Sequence, residues 1–162
     1  MSRAYVGLGS NMGDRLANLR AGLAALLVAD DLFLAGKSGV YESEPVGMAD
    51  QPDFLNAVVA VETTLDPYQL LSHVNKIELE HGRQRITRWG PRTLDIDVLL
   101  YDDLVQDDPK LTIPHPGLTE RRFVLEPLLE VQPDVTLPDG TSVRSVLEGL
   151  GDGQAVWRSG EL

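Results

Sequence analysis

Residues 93–101 read "TLDIDVLLY", and the fold turns on whether this stretch is a strand. Leu94, Ile96, Val98 and Leu100 recur at every second position, the period of a strand with one buried face. Asp95 and Asp97 then share the opposite face, roughly 6 to 7 Å apart at their Cα atoms by the strand rise. Two like charges on one strand face repel, so something must compensate them. Pattern alone leaves two readings open. One is a solvated edge face or a pair of arginine partners; the other is a metal site.

Upstream, the elements alternate between strand and helix. "AYVGLG" at 4–9 alternates and ends in glycines, as a strand does. From Leu16, apolar residues recur at Leu19, Leu23, Leu26 and Leu27, which is helical spacing, with Asp14 as its N-cap. "GKSGVYES" at 36–43 and "FLNAVVAVET" at 54–63 are the next strands, separated by the turn-rich "EPVGMADQPD". Asp66, Pro67 and Gln69 carry the marks of an N-cap, a first-turn proline and a capping box. The helix they open buries Leu70, Leu71, Val74 and Ile77 and ends at Gly82. With 93–101 as the fourth strand, the order is β-α-β-β-α-β. That order predicts an α+β, ferredoxin-like sandwich of sheet and helices. "GLTERRFVLEPLLEV" at 117–131 extends it with a helix. A short strand at Val135–Leu137 and a last helix near Ser142–Leu150 complete a C-terminal elaboration. The 162 residues form a single domain, 1–162, in this reading.

Composition excludes several function classes. The net charge of -11 argues against a nucleic-acid partner, because that affinity comes from neutralising phosphates. There is no cysteine, hence no disulfide or thiolate metal site, which suits a reducing cytoplasm. No basic leader with a following apolar run opens the chain, and no apolar stretch approaches a membrane span. The expected setting is cytoplasmic, without membrane association.

Against this acidic background, Arg83, Arg85, Arg88 and Arg92 fall within ten residues. Such a cluster suits a small anionic ligand, and guanidinium forks bind phosphate oxygens in pairs. Carboxylates at the Asp95/Asp97 spacing suit magnesium, which takes one or two carboxylates alongside substrate phosphates. Together they point to phosphoryl-type transfer from a nucleotide. Gly7, Gly9 and Gly13 fit neither the dinucleotide fingerprint nor a Walker loop and are read as a tight turn allowing close approach. Phe54 and Asn56 share one strand face. They could stack on and hydrogen-bond a flat heterocycle, or be an ordinary core phenylalanine and a satisfied amide. His115 lies between two prolines in "IPHPG", a stiff setting for a ligand contact or a cap. His73 and His81 read as structural or exposed. Trp89, in a polar loop, suits a lid or ligand contact, and Glu78 could position an arginine or a nucleotide group.

Four segments carry a resemblance: "YVGLGSNMGDR", "DQPDFLNAVVAVET", "GRQRITRWGPRTLDIDVLLYDD" and "LTIPHPGLTERRFVLEPLLEV". In this order they resemble the 6-hydroxymethyl-7,8-dihydropterin pyrophosphokinases, a family of folate biosynthesis, over nearly the whole chain. The resemblance implies a reaction in which the pterin hydroxymethyl group attacks the β-phosphorus of ATP and AMP leaves. It implies that Asp95 and Asp97 bind two magnesium ions and that Asp97 helps to deprotonate the hydroxyl. Arg83 and Arg92 would hold the phosphates. Arg85, Arg88, Trp89, His115 and Arg121 would contact ATP, with Glu78, Val98, Leu111 and Thr112 lining the nucleotide side. Phe54 and Phe123 would sandwich the pterin, with Ser43, Asn56 and the backbone near Val46 reading its polar edge. Loops 44–53 and 83–93 would act as lids. The expected partners are therefore ATP and the hydroxymethyl dihydropterin, bound by a monomer.

The sequence departs from the family in two places. Ser43 and Glu44 stand where some members have Thr and Pro, and Pro116 stands where some have Tyr. Two rival classes remain. One is a metal-dependent hydrolase or nucleotidyl transferase using the same aspartates. The other is a ferredoxin-like regulatory module that senses a nucleotide without needing both aspartates.

Overall fold

A computed structural model describes residues 1–44, 52–81, 93–151 and 154–162. The elements run β1 (Ser2–Ser10), α1 (Arg15–Leu27), β2 (Leu32–Lys37), β3 (Gly39–Ser43), β4 (Phe54–Thr63) and α2 (Pro67–Glu80). There follow β5 (Asp95–Tyr101), β6 (Gln106–Asp107), β7 (Thr112–Ile113), a 3-10 turn at Leu118–Glu120, α3 (Arg122–Val131), α4 (Val143–Gly149) and β8 (Val156–Glu161). The main sheet has the order β5-β1-β4-β3-β8, with β2 paired to the other half of β4. Its strand pairs are all antiparallel.

The sheet is covered on both faces. α1 and α2 enclose one core, where Leu19, Leu26, Leu70, Val74 and Ile77 meet Val6, Val59, Ile96 and Val98. α3 and α4 enclose the other, where Leu125, Leu128 and Val143 meet Tyr5, Val58, Ala60 and Leu99. This explains why β4 is buried without interruption from Leu55 to Val61 rather than alternating. The helix starts form as expected. Asp14 accepts the Ala17 N–H at 3.1 Å. Asp66 and Gln69 exchange two 2.9 Å bonds in a complete capping box. His73 and His81 place ring nitrogens 3.0 and 2.8 Å from the carbonyls of Leu26 and Ile77. The helix stop expected at Gly82 lies outside the described residues.

Four differences from the sequence reading have physical causes. The strand expected over 36–43 is two strands, β2 and β3, parted at Ser38. The Ser38 hydroxyl accepts the Val58 N–H at 2.9 Å, in place of a ladder carbonyl. The short strand expected at Val135–Leu137 is a single bridge, Thr136 to Ser142. β8, whose sequence "VWRSGE" lacks apolar alternation, was not anticipated; it is mostly exposed at the sheet edge. Finally, Leu100 does not join Leu94, Ile96 and Val98. Tyr5 pairs with Leu100 and Val6 with Val98, so Leu99 is an extra residue in β5. This bulge turns both Leu99 and Leu100 toward α3 and α4.

Glu130 of α3 ties β3 and β8 together. It accepts the Gly39 N–H at 3.1 Å, the Tyr41 hydroxyl at 2.6 Å, and Arg158 Nε and Nη2 at 3.2 and 3.3 Å. Burial, then the hydrogen bond to Glu130, pushes the Tyr41 phenol up to about 12. The folded protein thus holds this proton more tightly than the unfolded chain, whose phenols titrate near 10. Its stabilisation is complete below about pH 10 and is lost as pH rises through about 12. Thermal unfolding between pH 9 and 12 should show a steeper loss in wild type than in Tyr41→Phe. Parallel curves would exclude Tyr41 as the cause.

Candidate active site

Asp95 and Asp97 lie on β5 opposite Gly9 and Gly7 of β1. Cross-strand neighbours share a face, so no side chain of β1 stands directly beside either carboxylate. Gly7 and Gly9 therefore form part of a strand floor rather than the tight turn read from the sequence. A Cβ on Gly9 would lie 3.4 Å from Asn56 Oδ1. Of these three glycines, Gly13 alone has a positive φ, 66°, at the entry to α1.

β5 is the sheet edge, so its outward backbone groups need other partners. Glu78 of α2 supplies one: its Oε2 accepts the N–H of Ile96, midway between the aspartates, at 2.9 Å. His115 supplies another: its N–H donates to the Leu99 carbonyl at 3.0 Å. Residues distant in sequence are thereby anchored beside the carboxylates. His115 Nδ1 accepts the Gly117 N–H at 3.1 Å, which leaves the proton of the neutral ring on Nε2. Nε2 lies 3.7 Å from Asp97 Oδ1. Burial pushes the His115 imidazole below its ordinary pKa; Asp97 opposes this and Arg121 adds to it.

Two cavities meet at this point. The first, about 500 Å³, is lined by Asp95, Asp97 and His115 together with Ser43, Phe54, Asn56, Arg121 and Phe123. Asn56 is buried and donates Nδ2 to Ser43 Oγ at 2.8 Å and to the Tyr41 carbonyl at 3.4 Å. That fixes the amide orientation and reserves Oδ1 as an acceptor. Arg121 sits 5.9 Å from the centroid of the Phe123 ring, within cation–π range. The second cavity, about 330 Å³, is lined by Glu78, Val98, Leu111, Thr112 and Pro116, with Asn75 and Lys110. Asp97 and His115 line both.

The structure thus brings together the residues expected on the pterin side, Ser43, Phe54, Asn56 and Phe123, and separately those expected on the nucleotide side, Glu78, Val98, Leu111 and Thr112. Arg121 lines the first cavity together with Asp95, Asp97 and His115. Val46, Arg83, Arg85, Arg88, Trp89 and Arg92 lie outside the described residues, as do most of the two expected lids. Asn75, Lys110 and Gln154 line cavities although the sequence reading does not single them out. Asn75 had a usable signal, three positions before Glu78 on the same helix. Lys110 had one in its place next to Leu111 in the chain. Gln154 had none, because only the pairing of β8 with β3 brings it to the site.

Among the described residues no group of three or more His, Asp or Glu side chains could hold a metal. The Asp95/Asp97 pair still fits magnesium, whose remaining ligands are ordinarily water and phosphate oxygens.

The model of the 7,8-dihydro-6-hydroxymethylpterin-pyrophosphokinase family matches residues 5–133. The chain belongs to this family. A 2-amino-4-hydroxy-6-hydroxymethyldihydropteridine pyrophosphokinase of Haemophilus influenzae is 41% identical over 152 residues, covering 94% of this chain and 95% of the relative. One from Pseudomonas aeruginosa is 44% identical over 147 residues, 91% of each chain. Among solved structures, wild-type Plasmodium falciparum HPPK-DHPS with pteroate superposes with a TM-score of 0.69 at 16% identity. That match covers 91% of this chain and 42% of the Plasmodium chain, and it supports the pyrophosphokinase fold alone.

Proposed function

We infer that the chain transfers pyrophosphate from ATP to the hydroxymethyl group of 6-hydroxymethyl-7,8-dihydropterin, releasing AMP, in folate biosynthesis. The observation that carries the geometry is the pair of cavities sharing Asp97 and His115 as a common wall. One cavity suits a flat heterocycle: two phenylalanines offer aromatic faces, and Asn56 Oδ1 is oriented to take an N–H of the aminopyrimidine edge. The other takes the nucleotide between α2 and the 109–116 segment. Two substrates so placed meet at β5.

In the reaction, the hydroxymethyl oxygen bonds to the β-phosphorus. The bond from that phosphorus to the α–β bridging oxygen breaks, and AMP leaves with the electron pair. Asp97 is the described carboxylate that borders both cavities, and it is placed to take the hydroxyl proton. Neutral His115 turns Nε2–H toward Asp97 and orients it. Asp95 and Asp97 would hold magnesium, with two ions expected; the metal, when bound, neutralises phosphate charge and orients the transferring group. Arg83 and Arg92 are proposed to hold the phosphates. Arg85, Arg88, Trp89 and Arg121 complete the ATP contacts, and the backbone at Val46 the pterin contacts. The chain's own contribution is positioning and charge stabilisation.

The strand order supports the finer fold reading. Taking β2 and β3 as one broken strand, β5-β1-β4-β2/β3 is the ferredoxin-like order, with β6 to β8, α3 and α4 added. We read the chain as one domain acting as a monomer in the cytoplasm; both cavities are built by one chain.

Incubation with ATP, magnesium and the hydroxymethyl dihydropterin should yield AMP and the pterin pyrophosphate, and EDTA in excess should abolish turnover. ADP as the nucleotide product, or turnover without pterin, would favour the hydrolase or nucleotidyl-transferase reading.

A further inference from the structure

The family match ends at residue 133, yet the first cavity is completed by Gln154. Gln154 enters β8 next to the end of β3. Its Nε2 donates to the Glu44 carbonyl at 2.6 Å, and the Glu44 N–H donates to the Ala155 carbonyl at 3.3 Å. One step further, Val156 pairs with Ser43. Ser43 is buried, and its hydroxyl oxygen accepts from Asn56, the amide that faces the cavity. A continuous run of hydrogen bonds and strand pairing thus joins Gln154 to the polar edge of the pocket. β8 is otherwise a weakly buried edge strand, so its backbone ladder alone holds the β3 end loosely. The side-chain amide adds a directional bond at the position where Glu44 leaves the sheet.

We propose that Gln154 is a positioning residue of the pterin pocket, holding the Glu44 carbonyl so that Ser43 and Asn56 keep the geometry that reads the heterocycle's polar edge. This rests on the pterin reading of the first cavity. Gln154→Met keeps length and removes the donor; Gln154→Lys restores a donor of similar reach. Steady-state kinetics with each substrate varied should show Gln154→Met raising KM for the pterin roughly threefold to tenfold, the worth of one neutral hydrogen bond. Its kcat and its KM for ATP should stay within about twofold, and Gln154→Lys should return pterin KM toward wild type. Pterin KM unchanged in Gln154→Met, no recovery in Gln154→Lys, an equal loss for both substrates, or failure of both variants to fold would each overturn the assignment. Wild-type enzyme that forms no AMP would instead remove the pterin reading itself.

Discussion

Asp97→Asn should lower the rate of AMP formation on the order of 10³-fold while leaving the fold intact. Asparagine keeps the size of the side chain and one oxygen, and removes the charge and the basicity. The Asp97 side chain is 44% exposed, and asparagine keeps an oxygen that can still face His115 Nε2–H. It also relieves repulsion from Asp95 on the same strand face, so the melting temperature should hold or rise slightly. The loss should fall on kcat rather than on pterin binding, because Phe54, Asn56 and Phe123 are untouched. Single-turnover AMP formation and far-UV circular dichroism on one preparation decide the matter. A variant within tenfold of wild type would show that Asp97 neither holds the metal nor takes the proton.

The same strand shows what could be read from the sequence and what could not. The alternation over 93–98 was enough to place Asp95 and Asp97 on one face and Ile96 and Val98 on the other, because side-chain direction in a strand is local. It failed at Leu100, because the bulge at Leu99 depends on the register against β1. The two capping residues, Asp14 and Asp66, were legible for the same local reason: a cap is satisfied by residues three positions away. Ser38 was not, since its hydroxyl replaces a ladder acceptor only when Val58 lies opposite. In the site, Phe54 and Asn56 were recognisable as one face, whereas no local pattern placed Arg121 over the Phe123 ring. Gln154 illustrates the limit of local reasoning, for its partner Glu44 is 110 positions away.

Glu78→Ala should cost both stability and rate, and Glu78→Gln should separate the two. Glu78 is only 3% exposed, on the face of α2 that carries Leu70, Val74 and Ile77. An ionisable group in that position is costly to bury unless it is hydrogen-bonded. Its Oε2 accepts the Ile96 N–H, an outward donor of an edge strand between the two aspartates. Alanine leaves that donor buried without this acceptor, at a cost of about 1–3 kcal/mol in unfolding free energy. It also loosens the strand between Asp95 and Asp97, which should lower kcat about tenfold to 100-fold if the pair holds magnesium as proposed, the usual toll for losing support behind a metal ligand. Glutamine retains an oxygen at the same reach. Its amide can accept the Ile96 N–H, so stability should return to within about 1 kcal/mol of wild type and kcat to within about tenfold. Hydrogen exchange at the Ile96 amide reports the bond directly: fast in Glu78→Ala, protected in Glu78→Gln. If Glu78→Gln is as impaired as Glu78→Ala while the Ile96 amide stays protected, the charge of Glu78, not its hold on β5, is what the reaction requires.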